Sequence, residues 1–132
     1  MVKMKGLALD TNIAIDILNG KSEIAEICFK HFPIYLPITV CGELFFGAIN
    51  SSKSQKNISL YEEFIDDCQI LNTTSGIAME YAKIRKTLKE AGHPIPENDI
   101  WIAAICKSYD LTLATKDKHF KYISDINIKF ME

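Results

Sequence analysis

Short apolar runs alternate with stretches of helical periodicity along this whole chain, and that alternation narrows the folds open to it. Residues 6–9, 34–36, 69–71, 111–114 and 126–130 read as strands. Between them, 13–18, 21–32, 40–50, 55–68, 75–91 and 98 to about 109 read as helices. In 55–68, Ile58, Tyr61, Ile65 and Cys68 recur at three- and four-residue steps, and in 75–91 Ile77, Tyr81, Ile84 and Leu88 do the same. Thr39 and Asn98 are expected N-caps, and Gly92 ends the helix before it. Strands alternating with helices argue for an α/β fold, a parallel sheet with helices on both faces. Such a sheet binds ligands at the carboxyl ends of its strands.

With 132 residues the chain suits one domain over 1–132 with one sizeable core. The longest breaks, NSSKSQKN at 50–57 and GHPIP at 92–96, are too short to divide it. No apolar stretch approaches the ~18 residues of a membrane span. The first residues lack the basic and apolar segments of a secretory signal, so a cytoplasmic protein without membrane partners is expected. Cys28, Cys41, Cys68 and Cys106 are scattered in apolar surroundings, as small buried hydrophobes would be. His31, His93 and His119 are equally dispersed, which argues against a structural zinc site. The formal net charge of −2 does not advertise nucleic-acid binding. It does not exclude a nuclease that meets phosphate through metal ions and a few local lysines.

The acids carry the chemistry. Asp10 ends the first strand, Glu43 lies in the first turns of the helix after the second, Asp99 opens the helix leading to the fourth, and Asp117 follows that strand. Crossover helices run against the strands, so all four map to one edge of the sheet. Singly, each has an ordinary explanation: a cap, a dipole partner or a solvated turn residue. Two details weigh against it. Glu43 shares a face with Phe46 within ELFFGAI, and Asp99 shares one with Ile102, Ala103 and Cys106. Carboxylates on faces bound for the core are costly, and a cluster of them repels itself unless a cation intervenes. An all-oxygen donor set points to Mg²⁺ or Mn²⁺.

Other residues divide between structure and function. Lys116, Lys118 and Lys121 flank Asp117 and suit either a grip on a phosphate backbone or a solvated loop. Lys83, Arg85, Lys86 and Lys89 share a helix without forming one stripe. Trp101, set between Ile100 and Ile102, suits the core or a dimer interface better than base stacking, and Phe45 and Phe46 are expected in the core, with contact to a protein partner as the alternative for one of them.

Asp10-Thr11-Asn12 after an apolar strand, Glu43, Asp99 followed by Ile102-Ala103-Ala104, and Thr115-Lys116-Asp117 with Phe120 together resemble the PIN-domain nucleases. Length and layout are similar to the VapC-type toxins of toxin–antitoxin pairs. The resemblance implies a three-layer α/β/α sandwich with a five-stranded parallel sheet. It implies a Mg²⁺-dependent endoribonuclease, with Mn²⁺ as an alternative ion, that hydrolyses RNA phosphodiesters by metal-activated water. A homodimer and a small cognate antitoxin come with it. On this reading Asp10 and Asp99 hold the metal, directly or through water, and Glu43 and Asp117 complete the catalytic cluster. Thr11, Asn12, Thr115, Lys116 and Lys118 meet the substrate or the ligand waters. For Thr11, Asn12 and Thr115, capping and turn formation is an equal alternative. Where the family often has a glycine-containing turn ahead of Asp99, this chain has Pro94-Ile95-Pro96, which stiffens the approach.

Two rival functions share these residues. One is a metal- or partner-binding module of the same fold without turnover, disfavoured because all four acids are present. The other is a different Mg²⁺-dependent phosphoesterase. An aspartyl-phosphate phosphatase needs a second Asp two residues after the first, and Asn12 stands there.

Overall fold

The structure is a computed structural model that describes residues 6–132. The first five residues of the expected domain lie outside the described part. The elements follow the order β1 (Leu7–Leu9), α1 (Thr11–Leu18), α2 (Ser22–Phe29), β2 (Ile34–Pro37), α3 (Ile38–Ile49), α4 (Ser54–Asp66), β3 (Gln69–Leu71), α5 (Ser75–Ala91), α6 (Glu97–Ser108), β4 (Thr112–Thr115) and β5 (Ile128–Phe130). A 3₁₀ turn, Lys118–Tyr122, joins the last two strands.

Among the described residues the strands form one five-stranded sheet in the order β3-β2-β1-β4-β5, with every pair parallel. Leu7 stands opposite both Ile34 and Thr112, so β1 is the central strand. The chain steps outward from β1 to β3, then crosses back to β4. Right-handed crossovers therefore put α1 to α4 on one face and α5 and α6 on the other. The direction reverses between β1 and β4, and that switch point opens a crevice at their carboxyl ends.

Local chemistry explains most boundaries. Asp10 caps α1 by accepting the Thr11 N–H. Thr74 caps α5 through the Ile77 N–H, and Gly92, at φ 73°, closes that helix in the left-handed conformation. The helix expected over 21–32 ends at Phe29, because Pro33 supplies no N–H and its ring would clash with the Phe29 carbonyl. Thr39 and Asn98 are not N-caps. Helices α3 and α6 start directly after Pro37 and Pro96, so both residues fall inside the first turn. Asn98 instead turns its amide toward Glu43.

The core lies between sheet and helices. Leu7, Leu9, Leu36 and Leu113 fill it from the strands, and Ile13, Val40, Leu44, Ile102 and Ile105 from the helices. Phe120, fully buried, anchors the turn after β4. Cys28, Cys41 and Cys106 are buried free thiols, while Cys68 is half-buried. Phe46 departs from expectation: it is 69% exposed, so the face of α3 bearing Glu43 and Phe46 looks outward. Most of this helix is apolar, and Val40, Cys41, Leu44 and Ala48 are the residues that reach the core. Trp101 is half-buried and stacks on Tyr81 across the α5–α6 seam, ring centroids 4.0 Å apart. Among the described residues no helix is long and apolar enough to cross a membrane.

Candidate active site

The crevice at the switch point gathers the four acids. Asp10, 4% exposed, leaves β1 with its backbone N–H held by the Ala114 carbonyl of β4 at 2.9 Å. Its Oδ1 accepts the Thr11 N–H at 2.8 Å. Its Oδ2 accepts the Thr115 hydroxyl at 2.6 Å and the Asn12 side-chain amide at 3.3 Å. Thr115 Oγ1 in turn accepts the Asp117 N–H at 2.9 Å, and Asn12 Oδ1 accepts the Lys116 N–H at 3.3 Å. The turn after β1 is thereby stitched to the turn after β4. Three of the residues expected to meet substrate, Thr115, Asn12 and Thr11, serve here to orient Asp10.

Asp99 enters from the first turn of α6, and Asp117 from the N-cap of the 3₁₀ turn. Glu43 approaches from the second turn of α3, with Oε1 accepting from Asn98 Nδ2. It sits at the rim and remains exposed as a residue. Proton affinities register the crowding. Burial, then the charges of Asp10 and Asp117, a shared hydrogen bond with Asp117 and the charge of Glu43 push Asp99 up to about 7. Asp10 is raised by burial and the Asp117 charge against its hydrogen bonds, and Glu43 by desolvation and the Asp10 charge. The Thr11 hydroxyl is buried without a hydrogen-bond partner meeting full geometry, yet close enough to Glu43 to restrain that rise.

The lysines of the neighbouring loop are engaged elsewhere. Lys116 Nζ pairs with Asp16, a buried carboxylate on α1 that also holds Lys21 at 3.1 Å. Lys118 lies over the Phe130 ring at 4.9 Å and Lys121 over the Tyr122 ring at 5.1 Å. Among the described residues, the basic side chain that does reach the acids is His119. Its Nδ1 is 3.0 Å from Asp117 Oδ1 and 3.8 Å from Asp99 Oδ2. Sequence reasoning passed over both His119 and Asp16. His119 shares a tight turn with Asp117, two residues away, and Asp16 interrupts the apolar segment IAIDIL, one turn and a half after Asp10. Those spacings were the available signals.

A group of carboxylates whose charged forms are disfavoured by one another is a site for a cation. Asp99, Asp117 and His119 each offer a donor atom, all within 4.8 Å of one another. The predominance of oxygen donors suits a hard divalent ion. Asp10 and Glu43 stand around the same group: the Asp10 charge raises Glu43, and the charges of both raise Asp99.

Known proteins share this sequence pattern and fold. The PIN domain family matches residues 7–126. Ribonuclease VapC1 of Haemophilus influenzae (strain R2866) is 32% identical over 123 residues, covering 89% of this chain and 92% of that protein. The tRNA(fMet)-specific endonuclease VapC of Salmonella typhimurium is 28% identical, covering 92% and 94%. The crystal structure of DNA-bound VapBC from Salmonella typhimurium superposes with a TM-score of 0.90 at 27% identity, over 96% of this chain and 98% of that one.

Proposed function

This chain belongs to the PIN domain family, among its VapC ribonucleases, and from that premise we propose that it is a metal-dependent endoribonuclease, the cytoplasmic toxin of a toxin–antitoxin pair. The observation that carries the reading is the convergence of Asp10, Glu43, Asp99 and Asp117 on one crevice, where burial and then the charges of its neighbours push Asp99 up to about 7. A carboxyl group so placed is stabilised as the anion by a bound cation.

Asp10 and Asp99 hold Mg²⁺, with Mn²⁺ as the alternative, and Glu43 and Asp117 complete the cluster. When bound, a divalent ion supplies Lewis-acid stabilisation of charge on phosphodiester oxygens and activation of the attacking water. The chain's own residues supply orientation. Thr115, Asn12 and the Thr11 N–H fix both oxygens of Asp10, so no side-chain freedom is lost when the site fills. Lys118, exposed over the Phe130 ring, and Lys116, where Asp16 releases it, would grip a phosphate backbone, while the buried Thr11 hydroxyl stays beside Glu43. The functional unit is a single domain over 1–132 that forms a homodimer. The exposed apolar side chains Phe46 and Ile49 on α3 provide cover for a protein partner such as the antitoxin.

The test is cleavage of total RNA by the purified chain with Mg²⁺, with Mn²⁺, with chelator, and by Asp99→Asn. Metal-dependent fragments that vanish in the variant support the nuclease. Metal binding without cleavage, unchanged by the variant, would leave a binding module of the same fold.

A further inference from the structure

We propose that His119 is a metal ligand of this site and that its imidazole biases the site toward Mn²⁺ over Mg²⁺. The inference rests on the metal-dependent reading above and goes beyond its all-carboxylate ligand set.

The geometry supports it in three ways. First, His119 Nδ1 lies 3.0 Å from Asp117 Oδ1 and 3.8 Å from Asp99 Oδ2. Donor atoms around a six-coordinate ion at 2.0–2.2 Å stand about 3 Å apart when adjacent and about 4.3 Å when opposite, so these separations fall within that range. Second, the backbone beneath the ring is fixed. The His119 N–H donates to Asp117 Oδ1 at 2.9 Å, and the next residue, Phe120, is fully buried. The ring is thus set at the mouth of the crevice while half its surface meets solvent. Third, the ring's ion-pair contacts among the described residues are with these two carboxylates, whereas His93 is occupied in stacking on Tyr122 at 4.0 Å.

The donor chemistry then sets the selectivity. Mg²⁺ prefers oxygen and gives up water reluctantly, so an imidazole adds little to its binding. Mn²⁺, a first-row transition ion at home among the same carboxylates, is softer than Mg²⁺ and accepts an imidazole nitrogen more readily. Coordination through Nδ1 requires the proton on Nε2. The competing arrangement has an Nδ1–H donating to Asp117, with His119 orienting a ligand from outside the coordination sphere.

Pulsed electron paramagnetic resonance on the Mn²⁺-loaded full chain separates the two, with metal titrations of the wild type, His119→Ala and Asp99→Asn. The expected result is a ¹⁴N coupling to Mn²⁺ in the wild type that is absent in His119→Ala. That variant should lose Mn²⁺ affinity by at least about tenfold while Mg²⁺ affinity stays within about twofold. A wild-type spectrum without nitrogen coupling, or equal Mn²⁺ affinities in wild type and His119→Ala, overturns the proposal. If Asp99→Asn weakens Mn²⁺ binding and His119→Ala does not, only the His119 assignment fails. If neither does, the metal reading of the whole site fails with it.

Discussion

Thr115 Oγ1 donates to Asp10 Oδ2 at 2.6 Å while accepting the Asp117 N–H at 2.9 Å, so one buried hydroxyl couples two acids that stand 107 positions apart in the sequence. Thr115→Val keeps the shape and removes both bonds. A buried carboxylate oxygen and a backbone N–H lose a partner, and about 1–3 kcal/mol of stability should go with them. Urea denaturation of wild type, Thr115→Val and Thr115→Ser checks this. Serine should recover most of the loss, and equal midpoints for all three would show the hydroxyl to be idle.

Asp99 makes the metal-free protein less stable as pH rises. Its folded-state pKa is about 7 against an ordinary 3.8, so the folded state binds the extra proton between those values. Its contribution to stability is greatest below about 4 and falls as pH climbs toward 7, by on the order of 2–4 kcal/mol. Asp99→Asn should flatten that decline and stabilise the metal-free protein at neutral pH while abolishing cleavage. Thermal melts from pH 4 to 8 in chelator read it directly. A parallel decline in the variant would assign the effect to other groups.

Asp16 works in the opposite sense. Burial acts to raise it, but hydrogen bonds from Lys116 and Lys21 outweigh that and hold it below the ordinary 3.8. Its contribution is therefore present above that value and lost as pH falls through the lowered one. Both lysine partners are partly solvated, so Asp16→Asn should cost only about 1–2 kcal/mol at pH 7. The difference from wild type should shrink below pH 3.8. Lys116, released from its partner, should also raise RNA affinity at low salt if it reaches the phosphate backbone, as filter binding with a chelated, non-cleaving sample would reveal.

Phe46 and Phe120 should respond differently to truncation. Phe46 is 69% exposed, and Phe46→Ser should change the isolated chain's stability by no more than about 0.5 kcal/mol. Phe120 is fully buried, and Phe120→Ala should cost about 3–5 kcal/mol and loosen the turn that carries Asp117 and His119. Denaturation midpoints of the two variants, measured side by side, decide it. A large loss for Phe46→Ser would mean that its face is covered in the isolated protein, as by a second copy.

Much of the molecule was legible in the order of its residues. Alternating apolar runs and helical periods specified a parallel α/β sheet, because strand and helix periods are local properties of the chain. β3 and α5 fall on residues 69–71 and 75–91, as periodicity and the Gly92 stop require. The placement of Asp10, Glu43, Asp99 and Asp117 at one sheet edge also followed from local direction, since crossover helices begin where strands end. Other features depended on long-range pairing. The order β3-β2-β1-β4-β5 sets β1 beside β4 and so brings Asp10 to Thr115 and Asp117. That choice turned Thr115 and Asn12 into supports for Asp10, drew Lys116 to Asp16, and set His119 against Asp99. Nor can periodicity say which side of a largely apolar helix such as α3 meets the core, and packing left Phe46 outside. Residue order alone determined which groups reach the carboxyl edge. Tertiary packing decided which of them touch, because a hydrogen bond or a proton held between carboxylates depends on ångström separations that no sequence interval encodes.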